Sequence, residues 1–466
     1  MDAEQTDIVV IGMGPGGEDA AGKLAQAGLH VTGVEANLVG GECPYWGCVP
    51  SKMMIRAANL LAEARRIPGM AGASTVEPDW AAVARRIRDE ATDSWDDKVA
   101  VDRFTGTGGH FVRGRGRITA RGEVTVETAW GPRVFRARRG ILISTGTEPA
   151  VPPVPGLADT PYWTNREAME TEQVPESLIV LGGGAVGAEL AQVFARFGVR
   201  VTVVEAMVRL LPAEEPEAGQ LLATVLTREG VTVRTAARAE QVSHDGQRFT
   251  AALAGGEMLT AQRLLVATGR RADLAGLGLG AYGVGDTAGT LATDERMRAA
   301  GGLWAVGDIT GKGAFTHVSM YQAAIAVADI LGQDGPAADY RAVPRVTFTD
   351  PEIGAVGITE AQARQQGLAV RTGSTQLPSS ARGWLHKAGN DGFIKLIEDA
   401  RRGVLVGATS AGPAGGEVLS ALTVAVHAQV PVADLRTMIY AYPTFHRAIQ
   451  TALDDLITPI RPVQMS

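Results

Sequence analysis

The stretch Ile8-Val9-Val10-Ile11-Gly12-Met13-Gly14-Pro15-Gly16-Gly17 runs from a short apolar segment straight into a glycine-rich turn. Behind it, Ala20, Ala21 and Leu24 fall on one face of a helix that Gly28 closes, and a second strand, Leu29 to Val34, ends in Glu35. In a strand-turn-helix-strand unit of this kind the first glycine makes the turn and the second lets backbone N–H groups approach a pyrophosphate. The third lets helix and strand pack closely, and the acid accepts from a ribose hydroxyl. One such match is weak. Here, however, Gly12, Gly14, Gly17, Gly28 and Glu35 recur 170 positions later as Gly182, Gly184, Gly187, Gly198 and Glu205. Five landmarks at one offset predict two Rossmann-like dinucleotide-binding units in an α/β chain.

The chain has only two cysteines among 466 residues, and both follow the first unit, in Gly40-Gly41-Glu42-Cys43-Pro44-Tyr45-Trp46-Gly47-Cys48-Val49-Pro50-Ser51-Lys52. Closing so small a loop with a disulfide removes little entropy from the unfolded chain, so a structural staple is a poor explanation. Zinc would want more Cys or His nearby, and the closest histidine in sequence is His30; no metal site is expected. Gly40, Gly41 and Gly47 allow tight backbone, Pro50 and Ser51 suit a helix start, and Lys52 puts a cation close to any thiolate. A redox pair is the better reading. Two dinucleotide units beside such a pair suggest an electron path from a nicotinamide through a flavin to a disulfide, with FAD in the first unit and NAD in the second.

Length argues for roughly three domains of about 100 to 200 residues. The net charge of −7 offers no electrostatic reason to expect nucleic acid or an anionic membrane as partner. Met1 to Asp7 is polar and acidic, without the basic n-region of an export signal, and no apolar run approaches the roughly 20 residues of a membrane span. A cytoplasmic location is expected, where two closely spaced cysteines point to catalysis. The 58 glycines fall at specific turns and do not form low-complexity sequence.

Further motifs are Ser144-Thr145-Gly146-Thr147-Glu148-Pro149, Ala267-Thr268-Gly269-Arg270, Leu303-Trp304-Ala305-Val306-Gly307-Asp308 and Phe348-Thr349-Asp350-Pro351-Glu352-Ile353-Gly354. With the segment from Gly392 to Ile397 and the features above, the chain resembles, over nearly its whole length, the class I pyridine nucleotide-disulfide oxidoreductases. This is the family of dihydrolipoyl dehydrogenase, glutathione reductase and mercuric reductase. The resemblance implies a homodimer with an FAD domain over 1–149 and 272–338, an NAD domain over 150–271, and a C-terminal α+β dimerisation domain over 339–466. It implies that Cys48 faces the flavin in a charge-transfer contact and that Cys43 exchanges electrons with a small-molecule acceptor. Lys52 and Glu189 match an ion pair beside the flavin N5, and Asp308 matches the acid on the ribityl chain. Gly114 matches a position near the adenine, where a plain turn glycine is the competing explanation. Thr316 and His317 open an apolar helix, Val318 to Leu331, whose N-terminus would face the flavin pyrimidine. Glu205 favours the ribose diol of NADH over a 2′-phosphate, whereas Arg209, four residues on, leaves NADPH open.

The chain departs from the family at the residues that handle protons. Disulfide-reducing members carry His-Pro-Thr and then a glutamate, supplied by the partner subunit. Here the segment reads Tyr442-Pro443-Thr444-Phe445-His446-Arg447. A phenol of pKa about 10 is a poor base at neutral pH, and a guanidinium cannot orient an imidazole by accepting its proton. His446 could stand in for the base if the segment is helical, one turn from Tyr442. Mercuric reductase-like members also place tyrosine at the His position but usually add a C-terminal cysteine pair, which the stretch Arg461 to Ser466 lacks. Tyr45 and Trp46 form either a stacking wall for a flat acceptor such as a quinone or packing against the neighbouring domain. The resulting expectation is a dihydrolipoyl dehydrogenase-like NAD(P)H oxidoreductase. The alternatives are a quinone or metal-ion reductase that does without the base, and a catalytically decayed flavoprotein.

Overall fold

A computed structural model describes residues 3–287 and 289–457, so Met1, Asp2 and the closing stretch 461–466 lie outside the described residues. The first glycine unit sits in an eight-stranded sheet whose main path runs Arg298–Ala300, Leu303–Ala305, Gly131–Ile143, Glu4–Ile11, Val31–Glu35, His110–Arg113. Ile8 pairs in parallel with Val31 on one side and Gly140 on the other. Ile8, Val9, Val10 and Ile11 are all buried, as expected of a central parallel strand covered on both faces. Residues from two distant stretches of sequence, 4–143 and 298–305, thus share one sheet.

The second unit forms a four-stranded parallel sheet in the order Thr232–Arg234, Arg200–Val204, Ser177–Leu181, Arg263–Val266, with a three-stranded antiparallel sheet inserted before its last strand in sequence. Two chain crossings join the units, and they pair as a short antiparallel ribbon in which Arg270 faces Pro149 and Arg271 faces Glu148. From Pro344 onward the chain builds a five-stranded antiparallel sheet backed by the helices Gly415–His427 and Ala448–Asp455. Among the described residues no helix is long and apolar enough to cross a membrane.

This last region grips the four-stranded unit at a buried ion cluster. The Lys395 ammonium lies 2.8 Å from Glu215, 2.8 Å from Glu217 and 3.0 Å from Glu360, and Glu215 also accepts from the Glu360 backbone N–H at 2.6 Å. Nearby, Arg345 pairs with Glu214 at 2.7 Å. A second seam runs along the helices Cys48–Arg66 and Ala185–Arg196. Gln192 both donates to the Asp350 carbonyl and accepts its N–H, while Arg66 and Arg196 pair with the Asp350 carboxylate at 2.6 and 2.8 Å. These seams tie three separate sequence regions together.

Candidate active site

The two glycine turns are built alike. Gly12 and Gly182 adopt φ of 90° and 107°, in the left-handed region where a side chain is strained, and a Cβ on either would strike the carbonyl of Ser144 or Ala267. A Cβ on Gly17 would lie 2.0 Å from the Gly12 carbonyl oxygen, and one on Gly187 2.0 Å from that of Gly182. Gly14 and Gly184 differ in kind. Each is the N-cap of its helix without a side-chain cap, and a Cβ on Gly184 would meet nothing within 4 Å. Each turn therefore leaves helix N-terminal N–H groups open to an anion, as a pyrophosphate cradle requires.

Glu35 accepts from the N–H of Met13 at 2.8 Å and of Asn37 at 2.7 Å, and Glu205 from the N–H of Gly183 at 2.6 Å and of Met207 at 2.7 Å. Both acids thus hang over the second residue of their own turn, at the ribose end. Burial raises the Glu35 pKa, against its backbone N–H donors. The Arg209 guanidinium turns back to the carbonyls of Pro212 and Glu214, at 2.9 and 3.3 Å. Gly114 donates its N–H to the backbone carbonyl of Glu35, and its missing side chain is explained by the Glu127 carbonyl, 2.4 Å from where a Cβ would sit.

Cys48 is the first residue of the helix Cys48–Arg66, and both thiols are free, Cys43 half-buried and Cys48 exposed. The Cys48 sulfur lies 3.5 Å from the Thr316 hydroxyl. The Cys43 S–H donates to it, and with Thr316 and the Lys52 charge this outweighs burial and lowers the Cys48 pKa from 9.0 to about 6. The helix N-terminus acts in the same direction. Cys43 is driven the opposite way, chiefly because its proton is held by Cys48. One thiolate and one thiol at neutral pH is the division of labour that dithiol exchange needs. In the reduced protein, the ultraviolet absorbance of the thiolate should titrate near pH 6. In Cys43→Ala the midpoint should move up by more than about one unit, since the largest cause is removed. With a folded pKa below the unfolded one, the ionised sulfur adds stability above pH 9, and this is lost as pH falls towards 6. A wild-type midpoint near 9 would refute this assignment.

Lys52 and Glu189 meet at 2.9 Å, Glu189 being buried. Sequence reasoning missed Phe348, which donates its N–H to Glu189 at 2.8 Å and lies under the Lys52 ammonium, 4.6 Å from the ring centre. It also missed that Thr147 donates to Asp308 at 2.8 Å while Arg270 donates to the Thr147 hydroxyl and carbonyl at 2.9 and 2.6 Å. These residues stand inside the quoted motifs, but nothing local marks them as partners. Thr145 follows Ser144, whose N–H binds the Ile11 carbonyl beside the first glycine turn. Gly146 and Gly269 take positive φ at the two crossings with open space around them. The apolar helix runs Thr316–Ile330, with no side-chain cap, and His317 hydrogen-bonds the Pro344 carbonyl at 2.8 Å.

The aromatic residues between the cysteines do not form an open stacking wall. Tyr45 is buried, and burial raises its pKa to about 12. Trp46 packs on the helix Asn165–Glu170, donating from its indole to Glu170 at 2.7 Å beneath the Arg166 guanidinium.

The premise for His446 also fails. Residues 442–447 form turns, and the helix begins only at Ala448, so Tyr442 and His446 do not share a helical face. Tyr442 is exposed, Arg447 donates to the Tyr440 carbonyl at 3.0 Å, and His446 has its Nε2 3.5 Å from the Thr444 hydroxyl.

Residues 6–326 match the family described as pyridine nucleotide-disulphide oxidoreductase, and residues 343–453 its dimerisation domain. The chain belongs to the pyridine nucleotide-disulphide oxidoreductases. It is 34% identical over 468 residues to a mercuric reductase of Acidithiobacillus ferrooxidans, covering 99% of this chain and 84% of that one. It is 33% identical to a dihydrolipoyl dehydrogenase of Chlorobaculum tepidum, covering 98% of both. Among solved structures, the Cu(II) complex of HOCl-induced flavoprotein disulfide reductase RclA from Escherichia coli matches with a TM-score of 0.85 and 26% identity over 97% of this chain and 99% of that one. Members of this oxidoreductase family use FAD and NAD(P)H. The uncapped turns at Gly14 and Gly184, each with an acid at its ribose end, fit two dinucleotides. FAD, when bound, supplies the step between hydride donor and disulfide.

Proposed function

We propose that this enzyme takes electrons from NAD(P)H, with NADH preferred, and delivers them through Cys48 and Cys43 to a thiophilic metal ion rather than to a lipoamide-type disulfide. One observation carries the choice of acceptor: the proton-handling segment presents an exposed phenol at Tyr442 and a guanidinium at Arg447. Releasing a dithiol product needs protons delivered in order, and a base is worth about a hundredfold to ten-thousandfold there. A metal ion needs only the sulfurs. Reduction of the Cys43–Cys48 disulfide takes up two electrons and one proton, leaving Cys43 as the thiol and Cys48 as the thiolate. Its re-formation passes two electrons to one divalent ion, or to two ions that accept one each, and returns that proton to water. The likeness to a mercuric reductase and to a protein crystallised with Cu(II) supports this class of acceptor. The quinone reading loses its support with the stacking wall.

In this reading Cys48 faces the flavin, Cys43 meets the acceptor, and Lys52 with Glu189 lies beside the isoalloxazine. Asp308, held by Thr147, takes the ribityl chain, and the open helix start at Thr316 faces the pyrimidine. Glu205 selects the ribose diol of NADH, because Arg209, tied to two carbonyls of its own loop, is not presented to a 2′-phosphate. A domain division at 149/150, 271/272 and 338/339 is supported by strands 4–143 and 298–305 sharing one sheet while 177–266 build another. Exposed Val424, Met438, Ile439 and Tyr442 give the dimerisation region an apolar face for a second copy. A depressed thiol pKa in so complete a site argues against a decayed enzyme.

Steady-state assays with NADH or NADPH as donor and Hg(II), Cu(II), lipoamide and a quinone as acceptors test the proposal. Metal-dependent turnover should exceed lipoamide turnover by roughly a hundredfold. Equal or faster lipoamide reduction would contradict it.

A further inference from the structure

The turn that carries Cys43 is held from outside its own nucleotide unit. Glu42, the residue before Cys43, accepts on one carboxylate oxygen from Arg166 Nε at 2.9 Å and from its terminal nitrogen at 2.6 Å. On the other oxygen it accepts from Asn165 Nδ2 at 2.8 Å, and Arg270 stands 3.5 Å away. The far end of the same turn is gripped by the same helix. Asn165 Nδ2 also donates to the Trp46 carbonyl at 2.7 Å, and the Trp46 indole N–H donates to Glu170 at 2.7 Å. Arg166 covers the Trp46 ring, 4.5 Å from its centre. Between the two ends, the Trp46 N–H closes onto the Glu42 carbonyl at 2.8 Å.

The holding helix is itself fixed. A capping box joins Thr164 and Glu167 at its start, and Asn165 is buried. Arg270, the fourth partner, lies in the ribbon joining the two units and is anchored on Thr147. A turn flanked by Gly40, Gly41 and Gly47 has little stiffness of its own, so contacts from the helix Asn165–Glu170 must supply it. What such stiffness secures is the position of the Cys43 sulfur, which must direct its proton at Cys48 and still meet an acceptor.

We infer that Glu42, Asn165 and Arg166 are positioning residues for the interchange thiol, clamping the turn Glu42–Trp46 to the four-stranded unit and so fixing where Cys43 stands relative to the helix start at Cys48. The inference rests on the reading that electrons leave through this pair. Trp46 completes the clamp and explains why a large aromatic side chain stands between the cysteines.

The test uses the full-length FAD-loaded enzyme with Glu42→Ala, Glu42→Gln, Arg166→Ala and the double variant Glu42→Ala/Arg166→Ala. Three readouts are taken: turnover of Hg(II) through the thiols, the rate at which iodoacetamide alkylates Cys43 in the NADH-reduced enzyme, and NADH-ferricyanide turnover, which draws electrons from the flavin directly. Glu42→Ala should lower Hg(II) turnover roughly tenfold to a hundredfold and speed Cys43 alkylation, with ferricyanide turnover and flavin absorbance kept within about twofold. Glu42→Gln, which still accepts from Asn165, should recover part of the loss, and the double variant should lose less than the two single losses combined. Wild-type alkylation and Hg(II) turnover in Glu42→Ala would overturn the inference. So would an equal fall in both electron routes, because the residue would then support the fold generally. Failure of the underlying reading shows separately, as Hg(II) turnover that survives Cys43→Ser in the otherwise wild-type enzyme, while the alkylation rate still reports on the clamp.

Discussion

Replacing Cys48 with serine is expected to cut turnover of any acceptor served by the thiol pair by on the order of a thousandfold or more, while NADH-ferricyanide turnover persists. The geometry concentrates the reactive charge on this one sulfur. Cys48 opens a 19-residue helix and receives the Cys43 proton and the Thr316 hydroxyl, with Lys52 one turn along. A hydroxyl in its place has no accessible anion at neutral pH and cannot form a disulfide. Lys52, Glu189 and both glycine turns are untouched by the change, so nicotinamide and flavin binding should survive. The check is a pair of steady-state assays on one preparation, one through the thiols and one bypassing them. A Cys48→Ser enzyme that still reduces its acceptor at a rate near that of the wild type would remove the thiol pair from the path.

The second large effect is on stability. Lys395 is buried among Glu215, Glu217 and Glu360, and Glu215 is more deeply buried still. Burial pulls the Lys395 pKa down, but the three carboxylates outweigh it, and the net shift is upward from 10.5. A raised folded pKa means that the contribution is fully present below 10.5 and is lost only as the pH climbs past it. Lys395→Met would leave Glu215 buried with the Glu360 N–H as its remaining donor. Breaking a buried pair from one side costs about 3–5 kcal/mol, which for a chain of 466 residues unfolding as one unit corresponds to a fall in Tm of roughly 3–5 °C. Thermal unfolding followed by circular dichroism at pH 7 measures it, and Lys395→Arg should recover part of the loss. An unchanged Tm in Lys395→Met would mean that this cluster does not hold the five-stranded sheet to the nucleotide-binding region.

What the sequence disclosed, and what it hid, follows from the range of each interaction. Gly12 and Gly17 are readable because their constraint is local: a Cβ on Gly17 meets the Gly12 carbonyl five residues away, and the same holds for Gly187 and Gly182. Cys48 and Lys52 share the first turns of one helix and Cys43 sits in the short turn just before it, so spacing alone places them. Glu189 is different. Its pairing with Lys52 is legible only by family likeness, because 137 residues separate the two. The partners of Trp46 were beyond reach, since Asn165, Arg166 and Glu170 carry no motif and become neighbours only when the two units dock. The tail shows the reverse failure. Spacing would put Tyr442 and His446 on one face only if the segment were helical, but the chain turns through 442–447 and starts its helix at Ala448, where a new set of apolar residues meets the core.

Anaerobic titration of the FAD-loaded, oxidised enzyme with NADH, with free thiols counted at each step, tests the central claim most directly. Two equivalents of NADH per chain should be consumed, and the first should expose two new thiols, assigned to Cys43 and Cys48 by alkylation and peptide mapping. Consumption of a single equivalent, with the thiol count unchanged, would contradict the account.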